Sequence, residues 1–239
     1  MKNSLEWVYK DDKIRDLVLI LPGGGYERCS PREAMPVAEK INEAGMHAAI
    51  FWYRNEKLLY PEIKDEGLKM IDEIKKNPQV SNLFILGFSA GAHYALMLSI
   101  ASPKIDKTVL AYPVISAEKK IRHEGSIKNL LGRLDSPYSD EVSLEKKIHN
   151  KMNPVFIMHT ADDKSVPVEN SLVLVDALNH YDIPYELHIY PSGRHGLSLG
   201  TKDVSFEDMD PLKFEMEFKS VRGWFDLAIA FMKRSITHD

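Results

Sequence analysis

The stretch Leu83-Phe84-Ile85-Leu86-Gly87-Phe88-Ser89-Ala90-Gly91-Ala92-His93 constrains this chain more than any other. Its run of apolar residues suits a strand buried on both faces, and Ala90 onward suits a helix. Gly-x-Ser-x-Gly between them allows only a very tight strand-to-helix turn with Ser89 at its apex. A side chain at Gly87 or Gly91 would crowd neighbouring backbone, and Ser89 is pushed toward strained dihedrals that expose its hydroxyl. Small residues are common at such junctions, so the pattern alone carries little. The strand before it and the helix after it are what mark Ser89 as a candidate nucleophile.

The rest of the chain repeats the strand–helix alternation. Residues 4–9 alternate weakly and suit an edge strand, and Leu17-Val18-Leu19-Ile20-Leu21 suits a central one that ends in Pro22-Gly23-Gly24-Gly25-Tyr26. A helix is expected from about Pro31 to Ala44, stopped by Gly45, followed by a strand at Ala48–Phe51 and a helix from about Glu62 to Lys76. After the elbow helix come strands at Thr108–Tyr112 and Val155–His159, a helix near Val168–Asn179 and a strand at Tyr185–Tyr190. A final amphipathic helix is expected over 211–234. The polar stretch 114–153 breaks the rhythm and is expected to be a short lid-like insertion, too small to hold its own core. The expected fold class is therefore α/β: one domain over residues 1–239, with a mostly parallel central sheet covered by helices on both faces.

Bulk properties narrow the function. The 239 residues are 44% hydrophobic and 28% charged, ordinary for a globular chain, and the net charge is −4. No basic block or basic amphipathic helix is present, which argues against nucleic-acid and membrane partners. With Cys29 alone, no disulfide forms within the chain. Residues 1–7 lack an apolar leader and no run approaches the ~20 apolar residues of a membrane span, so a cytoplasmic location is expected.

In open α/β sheets the functional groups gather at the carboxyl ends of the strands. Gly23-Gly24-Gly25, Ser89, Asp162-Asp163 and His195 all stand at such ends. A serine hydroxyl needs a base to take its proton, and a histidine held in one tautomer by a carboxylate supplies it. The chain order Ser89, Asp, His195 fits an α/β-hydrolase. Asp162 and Asp163 are adjacent, so only one can face the imidazole. Asp163 has the Asp-x-x-Val-Pro spacing found in hydrolases of this kind and is preferred, with Asp162 bracing the loop. Acyl transfer also needs backbone N–H groups aimed at the developing oxyanion; Gly24, Gly25 and Ala90 are the expected donors. A phosphate loop is disfavoured, because neither Gly-Lys-Ser/Thr nor Gly-x-Gly-x-x-Gly spacing occurs.

The remaining polar residues read as support. His93 is expected to be a packed core residue and His159 to stand behind the site. His47, His123, His149, His180, His188 and His238 show no metal-like spacing, so neither metal nor cofactor is expected. Tyr53-Arg54 and Tyr60-Pro61 are expected to brace the loop below the site through an Arg54–Asp65 ion pair.

As a set these residues resemble the α/β-hydrolase superfamily, and within it the bacterial acetylxylan-esterase-like carbohydrate esterases related to hormone-sensitive lipases. The resemblance rests on Pro22–Tyr26, Tyr53-Arg54, Gly87–Gly91, Asn129-Leu130-Leu131-Gly132, His159–Asp163 with Val166-Pro167, and Ser192–Gly196, across residues 17–200. It departs at Pro22, where many relatives have histidine, and in the short segment before Leu17. It implies a metal-independent serine esterase that removes small acyl groups, commonly acetyl, from sugars or simple esters. The catalytic residues would be Ser89, Asp163 and His195, with Tyr26, Asn129 and Leu130 facing a small-molecule ester. Amide hydrolysis on the same triad (amidase, formamidase or peptidase) and ligand binding without catalysis are the alternatives, and self-association is left open.

Overall fold

Alternate residues of a strand point to opposite faces, so a strand apolar at every position needs a cover on both sides. The computed structural model describes residues 2–235 and shows this arrangement. Strands β1 (Ser4–Val8), β2 (Arg15–Leu21), β3 (His47–Trp52), β4 (Val80–Phe88), β5 (Lys107–Ala111), β6 (Val155–Thr160) and β7 (Tyr185–Tyr190) form one sheet in the order β1-β3-β2-β4-β5-β6-β7. Only β1 is antiparallel to its neighbour; the others pair in parallel. Leu17, Leu19 and Leu21 of β2 enter one core layer, and Val18 and Ile20 enter the other.

Helices α1 (Met35–Glu43) and α7 (Trp224–Lys233) contribute to the second layer. Helices α2 (Glu62–Lys75), α3 (Ala90–Ala101) and α5 (Glu169–His180) contribute to the first. Helix α3 is buried from Ala90 to Leu98, with no polar face to show to solvent. The chain moves outward from β2 to β3 and then returns to the other side of β2 with β4. That reversal opens a crevice between the ends of β2 and β4, where Leu21 lies opposite Gly87. The glycine loop and the elbow therefore emerge side by side.

The structure details the insertion and corrects one expected helix. The stretch 114–153 is polar on average, yet its sparse apolar residues are the buried ones: Val114, Ile115, Ile127, Leu130, Val142 and Leu144 join the first core layer. It contains helix α4 (Glu124–Leu131) and is tied down by buried Asn170 of α5, whose amide oxygen accepts from the N–H groups of Ile115 and Ser116 and whose nitrogen donates to Ile121 O. The expected helix over 211–234 is two helices, α6 (Pro211–Glu217) and α7, because the chain turns at 218–223 to bury Trp224. The Trp224 indole donates to Ser198 O at 2.9 Å and its ring meets Phe88 edge-on.

The approach of α3 to β2 generates a stability prediction. A Cβ on Gly91 would collide with the carbonyl oxygens of Leu21 and Pro22, both backbone atoms of a central strand end. Gly91→Ala is expected to lose at least about 3 kcal/mol, the upper end of overpacking costs. Urea unfolding checks this; a wild-type midpoint would mean that the two elements can separate without penalty.

Candidate active site

At the elbow, Ser89 adopts φ 54° and ψ −117°, outside the regions open to most side chains. Strain of this kind costs on the order of 1–3 kcal/mol and persists only where surrounding structure enforces it. The enforcement is visible. Ser89 N–H donates to Ala111 O at 2.9 Å, and its carbonyl accepts from the N–H groups of Ala92, His93 and Val114.

The structure brings Ser89, His195 and Asp163 into one line. Ser89 Oγ lies 2.8 Å from His195 Nε2, and His195 Nδ1 lies 2.6 Å from Asp163 Oδ2. A carboxylate can only accept, so Nδ1 carries the proton and Nε2 presents its lone pair to the serine hydroxyl. Asp163 is fixed by more than the imidazole: its Oδ1 accepts from the N–H groups of Ser165 (2.8 Å) and Val166 (3.0 Å). Burial opposes its charge, but the hydrogen bonds from His159 and His195 outweigh that and hold the carboxyl well below the usual carboxylate range.

The neighbours hold this line in place. His159 is fully buried, with Nδ1 2.7 Å from Ser171 Oγ and Nε2 facing Val166 O (3.1 Å) and Asp163 Oδ2 (3.4 Å). Asp162 accepts from Gly193 N–H at 2.8 Å, while Thr160 donates to Gly193 O at 2.8 Å. Gly193 is thereby clamped at both ends, two residues before His195. His93 lies in the core with Nε2 2.8 Å from Val142 O and Nδ1 2.9 Å from the Tyr26 hydroxyl. Since Val142 O must accept, Nε2 carries the proton and Tyr26 donates to Nδ1.

The expected oxyanion donors share one feature. No acceptor is paired with the N–H of Gly24, Gly25 or Ala90 among the described residues. Gly24 at φ 131° and Gly25 at φ 65° use backbone conformations that favour glycine. A Cβ on the preceding residue, Gly23, would meet Ser89 Cβ at 3.1 Å, which places this loop directly against Ser89.

Two expected substrate contacts are corrected, and the third, Asn129, is half-exposed beside the glycine loop. Tyr26 and Leu130 are fully buried; the Tyr26 ring packs edge-on to Tyr53 and its hydroxyl is taken by His93. Asn129 donates from its amide to Gly25 O at 2.9 Å, a contact with the glycine loop. The Arg54–Asp65 pair does not form: Arg54 donates instead to Leu58 O at 2.8 Å, and Asp65 sits exposed on the first turn of α2. Among the described residues no group of three His, Cys, Asp or Glu side chains could hold a metal ion; His238 lies outside them.

Sequence reasoning missed three residues beside this line. Glu33 is buried, and its carboxylate accepts from Gly23 N–H at 2.7 Å and from the Tyr112 hydroxyl at 2.6 Å. Tyr112 meets the His195 ring edge-on, with centroids 5.1 Å apart. His123 caps α4, its Nδ1 lying 2.7 Å from Ser126 Oγ and accepting from Ser126 N–H. Neither Pro31-Arg32-Glu33 nor a tyrosine after a strand carries a pattern that separates such residues from ordinary surface or core positions.

The chain is similar to several known proteins. The model of the prolyl oligopeptidase family matches residues 62–214, well over half of the chain. The chain is 31% identical to endo-1,4-beta-xylanase B of Butyrivibrio fibrisolvens, covering 90% of itself and 37% of that protein. It is 29% identical to the acetylxylan esterase of Xylanibacter ruminicola, covering 76% of itself and 41% of that protein. The chain thus spans about two fifths of the length of these relatives. The acetyl ester–xyloside bifunctional hydrolase of Caldicellulosiruptor lactoaceticus superposes with a TM-score of 0.75 at 32% identity, with 91% of this chain and 87% of that one covered.

Two predictions arise from these contacts. Asp163→Asn is expected to lower kcat by roughly 10^3–10^4-fold by disturbing the imidazole tautomer, and Asp162→Asn far less; steady-state kinetics of both variants, with the reverse order, would reassign the carboxylate. Burial pushes the His93 imidazole down to about 4 from its ordinary 6.5. The folded chain then resists a proton that the unfolded chain accepts. Stability is intact above about pH 6.5 and declines toward pH 4, by roughly 3 kcal/mol from this group. Urea midpoints across that range should show the slope, and His93→Asn should flatten it.

Proposed function

The chain belongs to the prolyl oligopeptidase family of α/β-hydrolases, and we propose that it is a serine esterase releasing short acyl groups, acetyl above all, from sugars or small alcohols. The observation that carries this reading is the line Asp163–His195–Ser89, with spacings of 2.6 and 2.8 Å, ending beside the unpaired N–H groups of Ala90 and Gly24. In this reading Ser89 Oγ attacks the ester carbonyl carbon as its proton passes to His195 Nε2. The carbonyl oxygen takes up the electron pair and is held by the N–H groups of Ala90 and Gly24. As the intermediate collapses the C–O bond breaks and the alcohol leaves with the proton from His195. Water then attacks the acyl-serine, gives its proton to His195, and the carboxylic acid departs as Ser89 recovers its hydrogen.

The acetylxylan esterase and the acetyl ester–xyloside hydrolase among the relatives support an acetyl ester of a carbohydrate as substrate. The partner is then a small-molecule ester, with no role for nucleic acid or membrane. No helix among the described residues is long and apolar enough to cross a membrane. The peptidase that names the family supports a second reading, amide hydrolysis, because fold and triad do not fix the leaving group.

Hydrolysis of p-nitrophenyl acetate, butyrate and longer esters tests the proposal. Acetate should be preferred, and Ser89→Ala should lose at least about 10^3-fold in kcat. Full activity in that variant would remove Ser89 from the mechanism, and faster turnover of a matched acetanilide than of the acetate would favour the amidase reading. Absence of a fluorophosphonate adduct at Ser89 in a chain that still binds the ester would favour binding without catalysis.

A further inference from the structure

Glu33 is a carboxylic acid 3% exposed, lying between the glycine loop and α1. A charge so placed is expensive unless its oxygens are well served. Each oxygen has a donor: Gly23 N–H on Oε2 at 2.7 Å and the Tyr112 hydroxyl on Oε1 at 2.6 Å. The Tyr112 hydroxyl also accepts from Ser198 N–H at 3.0 Å, so its own hydrogen goes to Glu33. Ser198 is further held through its hydroxyl, which donates to Arg32 O at 2.8 Å. Both carboxyl oxygens therefore accept, the pattern of the ionised form.

This cluster touches both halves of the site. A Cβ on Gly23 would lie 2.8 Å from Glu33 Oε2, 2.9 Å from Phe88 O and 3.1 Å from Ser89 Cβ, so carboxylate, glycine loop and elbow share one packed contact. On the other side, Tyr112 forms a wall against the His195 imidazole. We infer that Glu33 is a positioning residue for acyl transfer: it anchors Gly23 so that the following N–H, that of Gly24, stays aimed at the oxyanion, and it sets a fixed negative charge near His195. That charge favours the imidazolium that forms as Ser89 attacks, adding to the effect of Asp163. The inference rests on the acyl-transfer reading of Ser89 and His195.

Burial raises the Glu33 pKa, and the bonds from Tyr112 and Gly23 with the attraction of His195 and Arg32 offset part of that rise. The Cys29 thiol and the Tyr53 phenol are the other ionisable groups that sense it; burial pushes Cys29 up to about 11 and Tyr53 well above its ordinary value, so neither competes for the charge near neutral pH.

The test compares Glu33→Gln, Glu33→Asp and Tyr112→Phe with the wild type on p-nitrophenyl acetate across pH 5–9. Glu33→Gln should lower kcat by about 10- to 100-fold with KM within about twofold, because an oxyanion donor is felt in the transition state and not in the ground state. It should also move the acidic limb of kcat/KM to lower pH, since a neutral amide no longer favours protonated His195. Glu33→Asp keeps the charge but not the reach, so kcat should fall while the limb stays. Tyr112→Phe leaves the carboxylate on Gly23 and should cost less than Glu33→Gln, again with the limb unmoved. Wild-type kcat in Glu33→Gln, a loss confined to KM, or an unmoved acidic limb would each overturn the inference. If the Gln variant does not fold, an undiminished kcat in Glu33→Asp overturns it instead. Ser89→Ala is measured alongside: activity surviving there would sink the acyl-transfer reading itself, independently of Glu33.

Discussion

The structure depends on one backbone approach. The first turn of α3 presses so closely on the ends of β2 and β4 that neither Gly87 nor Gly91 has room for a Cβ. Everything polar at the site inherits its position from that contact. It forces Ser89 to φ 54°, lifts its hydroxyl out of the elbow, and brings the loop after Leu21 against that residue. The strain this stores is offset by what surrounds it: α3 is buried along most of its length, and both the N–H and the carbonyl of Ser89 are bonded. A fold with a looser helix could relax the serine and would lose the geometry with it.

Around this contact the polar groups constrain one another. Three histidines near the elbow have their tautomers dictated by obligatory acceptors: Val142 O for His93, Val166 O with Asp163 for His159, and Asp163 for His195. In a medium of low dielectric an unpaired polar group is costly, so a network in which each proton has one place to go holds a single arrangement. Asp163 and Glu33 stand on different elements, after β6 and before α1, and both are held as acceptors of several bonds. Their common feature is that the backbone supplies part of the bonding, which ties the charge to the fold and not only to another side chain.

Legibility in the sequence followed the range of the interactions. The strands showed as unbroken apolar runs, and the elbow showed because two glycines bracket one serine within five residues. Ser89, Asp163 and His195 could be paired on paper because each follows a strand and the sheet is parallel. Glu33 could not, because Pro-Arg-Glu also describes the exposed first turn of any helix; only the return of Tyr112 and Gly23 to the same spot makes it a buried acid. Tyr26 and Leu130 were misplaced for a related reason: proximity in sequence to the glycine loop and to Asn129 says nothing about which way a side chain turns. The break at 218–223 was hidden because Phe214, Phe218 and Phe225 are spaced as they would be in one continuous helix.

The insertion between β5 and β6 bears on the shape of the site. Its apolar residues are part of the main core, Asn170 staples its start, Val142 O is bonded by His93, and Asn129 holds the glycine loop. A segment anchored at so many points cannot swing away as a unit without exposing core and breaking these bonds. The wall that this segment builds beside the glycine loop is therefore a standing part of the fold, fixed by the same core that holds the sheet.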